Sequence, residues 1–230
     1  MPAFPRTPAR ALAKLVDGHP PAVWLLFGSR EPMQRWFSGR RLPCLAAGSC
    51  APGIPLPSVD VDYRAACRHA GGMLWRKGHR RITLVQPQDS FGGDMDGEAG
   101  LRESLHGLPG AHLKVLRHDG TTAHLRLLLD GAMRAPHPPT AYLVARPSYV
   151  LTVMMHLLHR GQRIPKDIAV ISRDGAPFLQ FTCPSTAHYA TNPTVLARRV
   201  FMAVRQMAET GALPARAIRL MPTFVPGDTV

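Results

Sequence analysis

The stretch that most constrains the fold is 56–86, LPSVDVDYRAACRHAGGMLWRKGHRRITLVQ. Val59 and Val61 alternate with Ser58, Asp60 and Asp62, the period of a strand, and an amphipathic segment from Tyr63 to Lys77 follows directly. That segment reads as a helix. Gly78 stands just past its last turn, where a residue free to take positive φ ends a helix at little cost, and Arg76 and Lys77 bring positive charge to the carbonyl end of the dipole. A second strand, Ile82 to Gln86, starts at once. Strand, helix and strand in so short a span predict a βαβ crossover with its two strands parallel in one sheet, and hence an α/β protein.

The rest of the chain alternates in the same way. Arg6 or Thr7 opens a helix running to Gly18, and the apolar run Ala22 to Phe27 is a buried strand. A helix over Glu31 to Phe37, a strand over Leu42 to Ala47 and a Gly- and Pro-rich loop at 48–57 complete the first part. Beyond Gln86 the sequence predicts a Gly-rich loop to Gly97, a helix from Asp96 to His106, and a strand from Ala111 to Arg117. A helix over Thr121 to Met133 capped by Thr121 or Thr122 follows, then a strand Ala141 to Ala145, a helix Ser148 to Arg160 and a strand Ile168 to Ser172. A long helix over Pro193 to Thr210, stopped by Gly211, precedes a last extended segment from Ile218 to Val225. Such alternation implies parallel sheets with helices on both faces.

Asp62 before a helix, the run GHRRI at 78–82 and the apolar strand after it resemble the effector-binding domain of the lactose-repressor/galactose-repressor family of bacterial transcription regulators. The segment 160–174, RGQRIPKDIAVISRD, strengthens the likeness: Gly161, Pro165, Asp167, the strand Ile168 to Ser172 and Asp174 keep the family's order and spacing. The resemblance spans about Ala9 to Val230 and implies a two-lobed, type I periplasmic-binding-protein-like α/β fold. Its first lobe would comprise 1–80 and 190–213, its second 81–189 and 214–230, with ligand in the cleft between them. The family's first two strands and a helix would precede Ala9, so the first lobe is expected to be N-terminally incomplete. Ala22 to Phe27 then becomes an unprotected sheet edge, and the chain is expected to self-associate.

The same resemblance supplies candidate ligand residues. Asp62 and Asp174 match acidic positions that bind sugar hydroxyls in many members, and a carboxylate accepts several hydroxyl hydrogen bonds. Each can also serve as a cap. Arg146, with Pro147, stands where the family commonly has Asn followed by Asp, and so favours a ligand with an acceptor or anionic group, or else pairs with Asp174. Asp96 and Gly97 stand where many sugar-responsive members carry a clamping Arg, and a glycine cannot replace a guanidinium fork. Ordinary hexoses are therefore expected to fit poorly. Ser29 and Asn192 are further candidates on the rim, as is Arg30.

Other classes lack their signatures. No H-E-x-x-H, G-x-S-x-G or P-loop pattern occurs, so neither a catalytic constellation nor a cofactor is expected. His156 and His159 share a helix face without a third metal ligand, and Met154 and Met155 read as core. Four cysteines without a C-x-x-C pair read as reduced thiols. The net charge of +13 would suit nucleic acid, yet the basic residues are spread and lack interleaved aromatics. DNA is expected to be bound only through a helix-turn-helix that these residues do not contain. No apolar run spans a bilayer and MPAFPRTPAR is followed by no apolar export region, so a cytoplasmic, homodimeric, effector-sensing module is expected. The alternative is a solute-binding protein of a transport system.

Overall fold

The computed structural model describes residues 9–19, 23–211 and 213–230. The predicted helix start at Arg6 or Thr7 and the strand residue Ala22 lie outside the described residues. Two compact units emerge: the described residues of 1–61, 91–95 and 192–220 form the first, and 62–90, 96–191 and 221–230 the second.

In the first unit, strands β1 (Trp24–Phe27), β2 (Cys44–Ala47), β3 (Ser58–Val61) and β9 (Ala217–Leu220) form a parallel sheet in the order β1-β2-β3-β9. Strand alternation sends Leu26 and Cys44 to one face, against Leu12 of α1 (Ala9–Asp17) and Phe37 of α2 (Glu31–Gly39). Leu45 and Val59 face the other way, onto Ala203 and Met207 of α7 (Pro193–Thr210). Asn192 caps α7 by accepting from the N–H groups of Thr194 and Val195, and Gly211, at φ 75°, ends it. Strand β1 stands at one end of the strand order, with Phe27 68% exposed.

The second unit holds a six-stranded sheet in the order β10-β8-β7-β6-β4-β5. Its strands are β4 (Arg81–Pro87), β5 (His112–His118), β6 (Ala141–Val144), β7 (Ala169–Ser172), β8 (Ala187–Ala190) and β10 (Thr223–Val225). Helices α3 (Tyr63–Arg76) and α4 (Gly92–Leu105) cover one face, packing Ala66, Ala70, Leu74 and Leu101 on Ile82, Leu84 and Leu143. Helices α5 (Thr122–Met133) and α6 (Pro147–His159) cover the other, with Leu125, Leu129, Val153 and Leu157 on Val85, Val144 and Val170. Each fully buried Leu, Ile or Val among these contributes about 1.5–3 kcal/mol relative to exposure.

Several expectations change. Strand β3, helix α3 and strand β4 exist as read, yet they are not a crossover within one sheet: β3 pairs with β2 and β9, β4 with β5 and β6. Helix α3 packs its small-residue face on the second sheet, and it belongs to the second compact unit, which begins at Asp62. The segment Ile218 to Val225 is two strands in two sheets, β9 parallel to β3 and β10 antiparallel to β8, with Pro222 between them unable to donate to either ladder. Strand β8 carries no clear period and escaped the sequence reading. Helix α4 begins at Gly92, because the Asp94 carboxylate accepts the N–H of Phe91, and because a Cβ at Gly92 would lie 2.5 Å from the carbonyls of Ser49 and Cys50. Met155 is 65% exposed while Met154 is buried, since neighbours on a helix point about 100° apart. The four cysteines are thiols, none in a disulfide, and burial pushes the Cys44 thiol up to about 11.

Candidate functional site

Open α/β sheets present ligand-binding groups at the carboxyl ends of their strands. In the second unit these ends carry a compact charged cluster. Arg146 follows β6 as the residue before α6, and Asp174 lies just past β7; the Arg146 guanidinium stands 3.8 Å from the Asp174 carboxylate. Arg173, 1% exposed, donates to the same carboxylate at 3.1 Å and lies 4.2 Å over the ring of Tyr63. Asp174 is thus the hub between two guanidiniums.

Arg173 was not singled out from the sequence, where it sits unremarked between Ser172 and Asp174. Gly97 makes room for it: a Cβ there would meet the Arg173 guanidinium at 3.4 Å and the Cys67 sulfur at 3.1 Å. The buried arginine of one element packs where another element offers a glycine. Asp62 plays a local role: its carboxylate accepts the N–H of Ala65 and caps α3.

The strand ends of the first unit are polar and self-satisfied. The amide of Gln34, buried on α2, donates to the Ser29 hydroxyl, the Ser29 carbonyl and the Ser49 carbonyl, and accepts the N–H of Ala51. Ser29, at the end of β1, is therefore built into a brace. Ser49 in turn donates to the carboxylate of Asp60, at 2.8 Å. Neither Gln34 nor Asp60 was singled out from the sequence; a lone glutamine on an amphipathic helix carries no spacing signal.

Burial pushes the Asp60 carboxyl above its ordinary value, against the lowering effect of hydrogen bonds from Ser49 and Val61 and of Arg219 nearby. The native state then holds a proton that the unfolded chain has already released, so stability falls as pH rises from the ordinary carboxylate value through the raised one. Asp60→Asn removes that titration. Thermal unfolding of both proteins from the ordinary carboxylate range up to neutral pH is expected to show the variant gaining on the parent as pH rises; parallel curves would contradict it.

Among the described residues no helix is long and apolar enough to cross a membrane, and no group of three His, Cys, Asp or Glu is arranged to hold a metal ion. The Nε2 of His156 meets Asp130 at 2.9 Å, and the same carboxylate takes two hydrogen bonds from Arg160.

The sequence profile of the periplasmic binding protein-like domain matches residues 72–230. The chain belongs to that family. Within it, the likeness is to the effector-binding domain of lactose-repressor/galactose-repressor regulators. The transcriptional repressor CytR of Escherichia coli K12 is 25% identical over 177 residues, covering 75% of this chain and 50% of that protein. The regulator CelR of Thermobifida fusca is 29% identical over 181 residues, 74% of this chain and 52% of its own. This periplasmic binding protein-like chain thus spans about half the length of the curated relatives it matches. Those relatives regulate transcription and are not enzymes. Among solved structures, a LacI regulator from Bacillus cereus subsp. cytotoxis superposes with a TM-score of 0.84 at 21% identity, covering 95% of this chain and 79% of that one. CelR in complex with cellobiose gives 0.79 at 22% identity, covering 97% and 70%. These two likenesses speak to the fold.

Proposed function

We propose that this domain is the ligand-sensing module of a cytoplasmic transcription regulator, taking a small polar effector that carries an anionic or acceptor-rich group. The observation that supports this reading is the cluster of Arg146, Arg173 and Asp174 at the ends of β6 and β7. Arg146, its side chain 29% exposed, brings a guanidinium suited to a carboxylate or phosphate, and Asp174 accepts hydroxyls once a ligand displaces it from Arg146. Asp62, Ser29 and Asn192 are the further proposed contacts. The likeness to CelR with cellobiose, and to an Enterococcus faecium regulator with bound ribose, favours a sugar derivative as the class. The two guanidiniums of the cluster favour a sugar acid or sugar phosphate over a neutral hexose.

Calorimetry against a panel of neutral sugars, sugar acids and sugar phosphates tests the reading. An acidic member is expected to bind best, and Asp174→Ala to weaken it by about 1.5–3 kcal/mol, the scale of a hydrogen bond to a charged group. Tight binding of a neutral hexose, or an affinity unchanged in both Asp174→Ala and Asp62→Ala, would overturn it.

The proposed module acts as a homodimer, and DNA enters through a helix-turn-helix outside these residues. Leu151, Met155 and Leu158 recur along one stripe of α6 and are 42%, 65% and 39% exposed. Residues four and three apart share a helix face, so the exposure is one patch rather than scattered side chains.

A further inference from the structure

We propose a second small-molecule site, at the opposite, amino-terminal ends of the strands in the second unit, for a small organic anion with an apolar body. An open cavity of about 450 Å³ lies there, within the usual range for ligand sites. Ala132, Ala135 and Pro139 supply apolar wall, while Arg80, Arg81 and Lys114 supply cations beside His112 and His137; no aspartate or glutamate lines it.

Two of the cations are held in place. Arg80 lies 4.6 Å over the Trp75 ring and donates to the Trp75 carbonyl at 2.7 Å, and Arg81 donates through Nε to the Pro138 carbonyl at 2.6 Å. Lys114 projects from β5 into solvent. Fixed guanidiniums beside an apolar wall match a carboxylate or phosphate joined to a hydrocarbon or aromatic body.

A separate feature points the same way. Thr83, fully buried, contributes to the cavity lining, and its hydroxyl has no hydrogen-bond partner among the described residues. Tyr142, its register partner on β6, also carries a buried hydroxyl without one. Buried hydroxyls are ordinarily satisfied, and a bound molecule with an acceptor would satisfy Thr83. The site lies on other residues than the effector cluster, so the two readings fail separately.

Phenyl phosphate is the probe, followed by calorimetry and by amide shifts in the full chain. It is expected to bind at least about tenfold tighter than either phenol or inorganic phosphate, with shifts centred on β4 and β5. Lys114→Glu should weaken it about tenfold or more, a loss of one charge-assisted contact with repulsion added, and Thr83→Val should weaken it by a smaller factor with the melting temperature maintained or raised. Asp174→Ala should leave it intact. Overturning results are an affinity indifferent to Lys114→Glu, shifts centred elsewhere, inorganic phosphate or phenol binding as well as the ester, or no binding at millimolar probe.

Discussion

Replacing Gly100 by valine should unfold the second unit or leave it severely destabilised. Gly100 sits mid-way along α4, and a Cβ there would stand 2.0 Å from the carbonyl oxygen of Arg64 on α3. That neighbour is backbone and cannot swing aside, so the helices must separate. Gly71, on α3, sits against Leu101 and Ser104 in the same way, with a built Cβ 2.8 Å and 2.0 Å from their side chains. Separating α3 from α4 would loosen Ala66, Ala70, Leu74 and Leu101 from the sheet together. Overpacking a tight core costs about 1–3 kcal/mol, occasionally more, and displacing backbone puts this case at the upper end. Gly131, near the end of α5, supplies the contrast: a Cβ there meets nothing within 4 Å and its φ is ordinary. Gly131→Ala should be neutral or stabilise by up to about 1 kcal/mol through helix propensity. Urea unfolding of both variants checks the pair. Equal stability of Gly100→Val and the parent would mean that α3 and α4 do not cross at this glycine.

The dimer proposed for this domain should dissociate when Met155 becomes aspartate. Met155 is the middle of the α6 stripe, and on its flanks Leu151 and Leu158 are both more than a third exposed. The surrounding surface is shallow and mixed, lined by Thr122, Arg126, Thr152, His156 and His159 beside the apolar residues, which is the composition of an apolar centre with a polar rim. A carboxylate at the centre loses its hydration on association without gaining a partner. Hot-spot residues at an interface centre carry about 2 kcal/mol or more, so the dissociation constant should rise by roughly 30-fold or above. Sedimentation velocity over a concentration series measures it. Phe27→Lys on β1 is the control, because that strand ends the first unit's sheet and exposes its phenylalanine. A dimer lost only with Phe27→Lys would move the interface to the β1 edge, and a dimer indifferent to Met155→Asp would reject α6.

The candidate site was legible in the sequence where a residue follows a strand and precedes a turn or helix. Arg146 and Asp174 met those conditions, and the ion pair offered as one outcome for Arg146 is present. Asp62 met them equally, yet its carboxylate caps α3, because a residue before a helix is also the residue best placed to satisfy that helix's free N–H groups. Arg173 was illegible. Its guanidinium is buried by contacts with Tyr63 and Asp174 from segments far apart or adjacent in sequence alike, and nothing in its own neighbourhood marks it as interior. Gln34 and Asp60 are the same case in the first unit, a polar brace whose members lie on different elements.

Periodicity, caps and glycine positions determined the elements by themselves. The span of α7, its Asn192 cap and its Gly211 stop, the Thr121 cap of α5 and nearly every strand could be read from local chemistry, since each depends on residues within a turn or two. What the sequence did not determine is which strands pair. Val59 and Leu84 look alike as strand residues, but β3 and β4 join different sheets, and Ile218 to Val225 divides at Pro222 to serve both. Pairing is a choice among distant partners with similar apolar faces, decided by how much surface each arrangement buries. Only the tertiary structure resolves it, through the small-residue packing of α3 on the second sheet, where Ala66 and Ala70 let the helix lie close and join the second compact unit, which begins at Asp62.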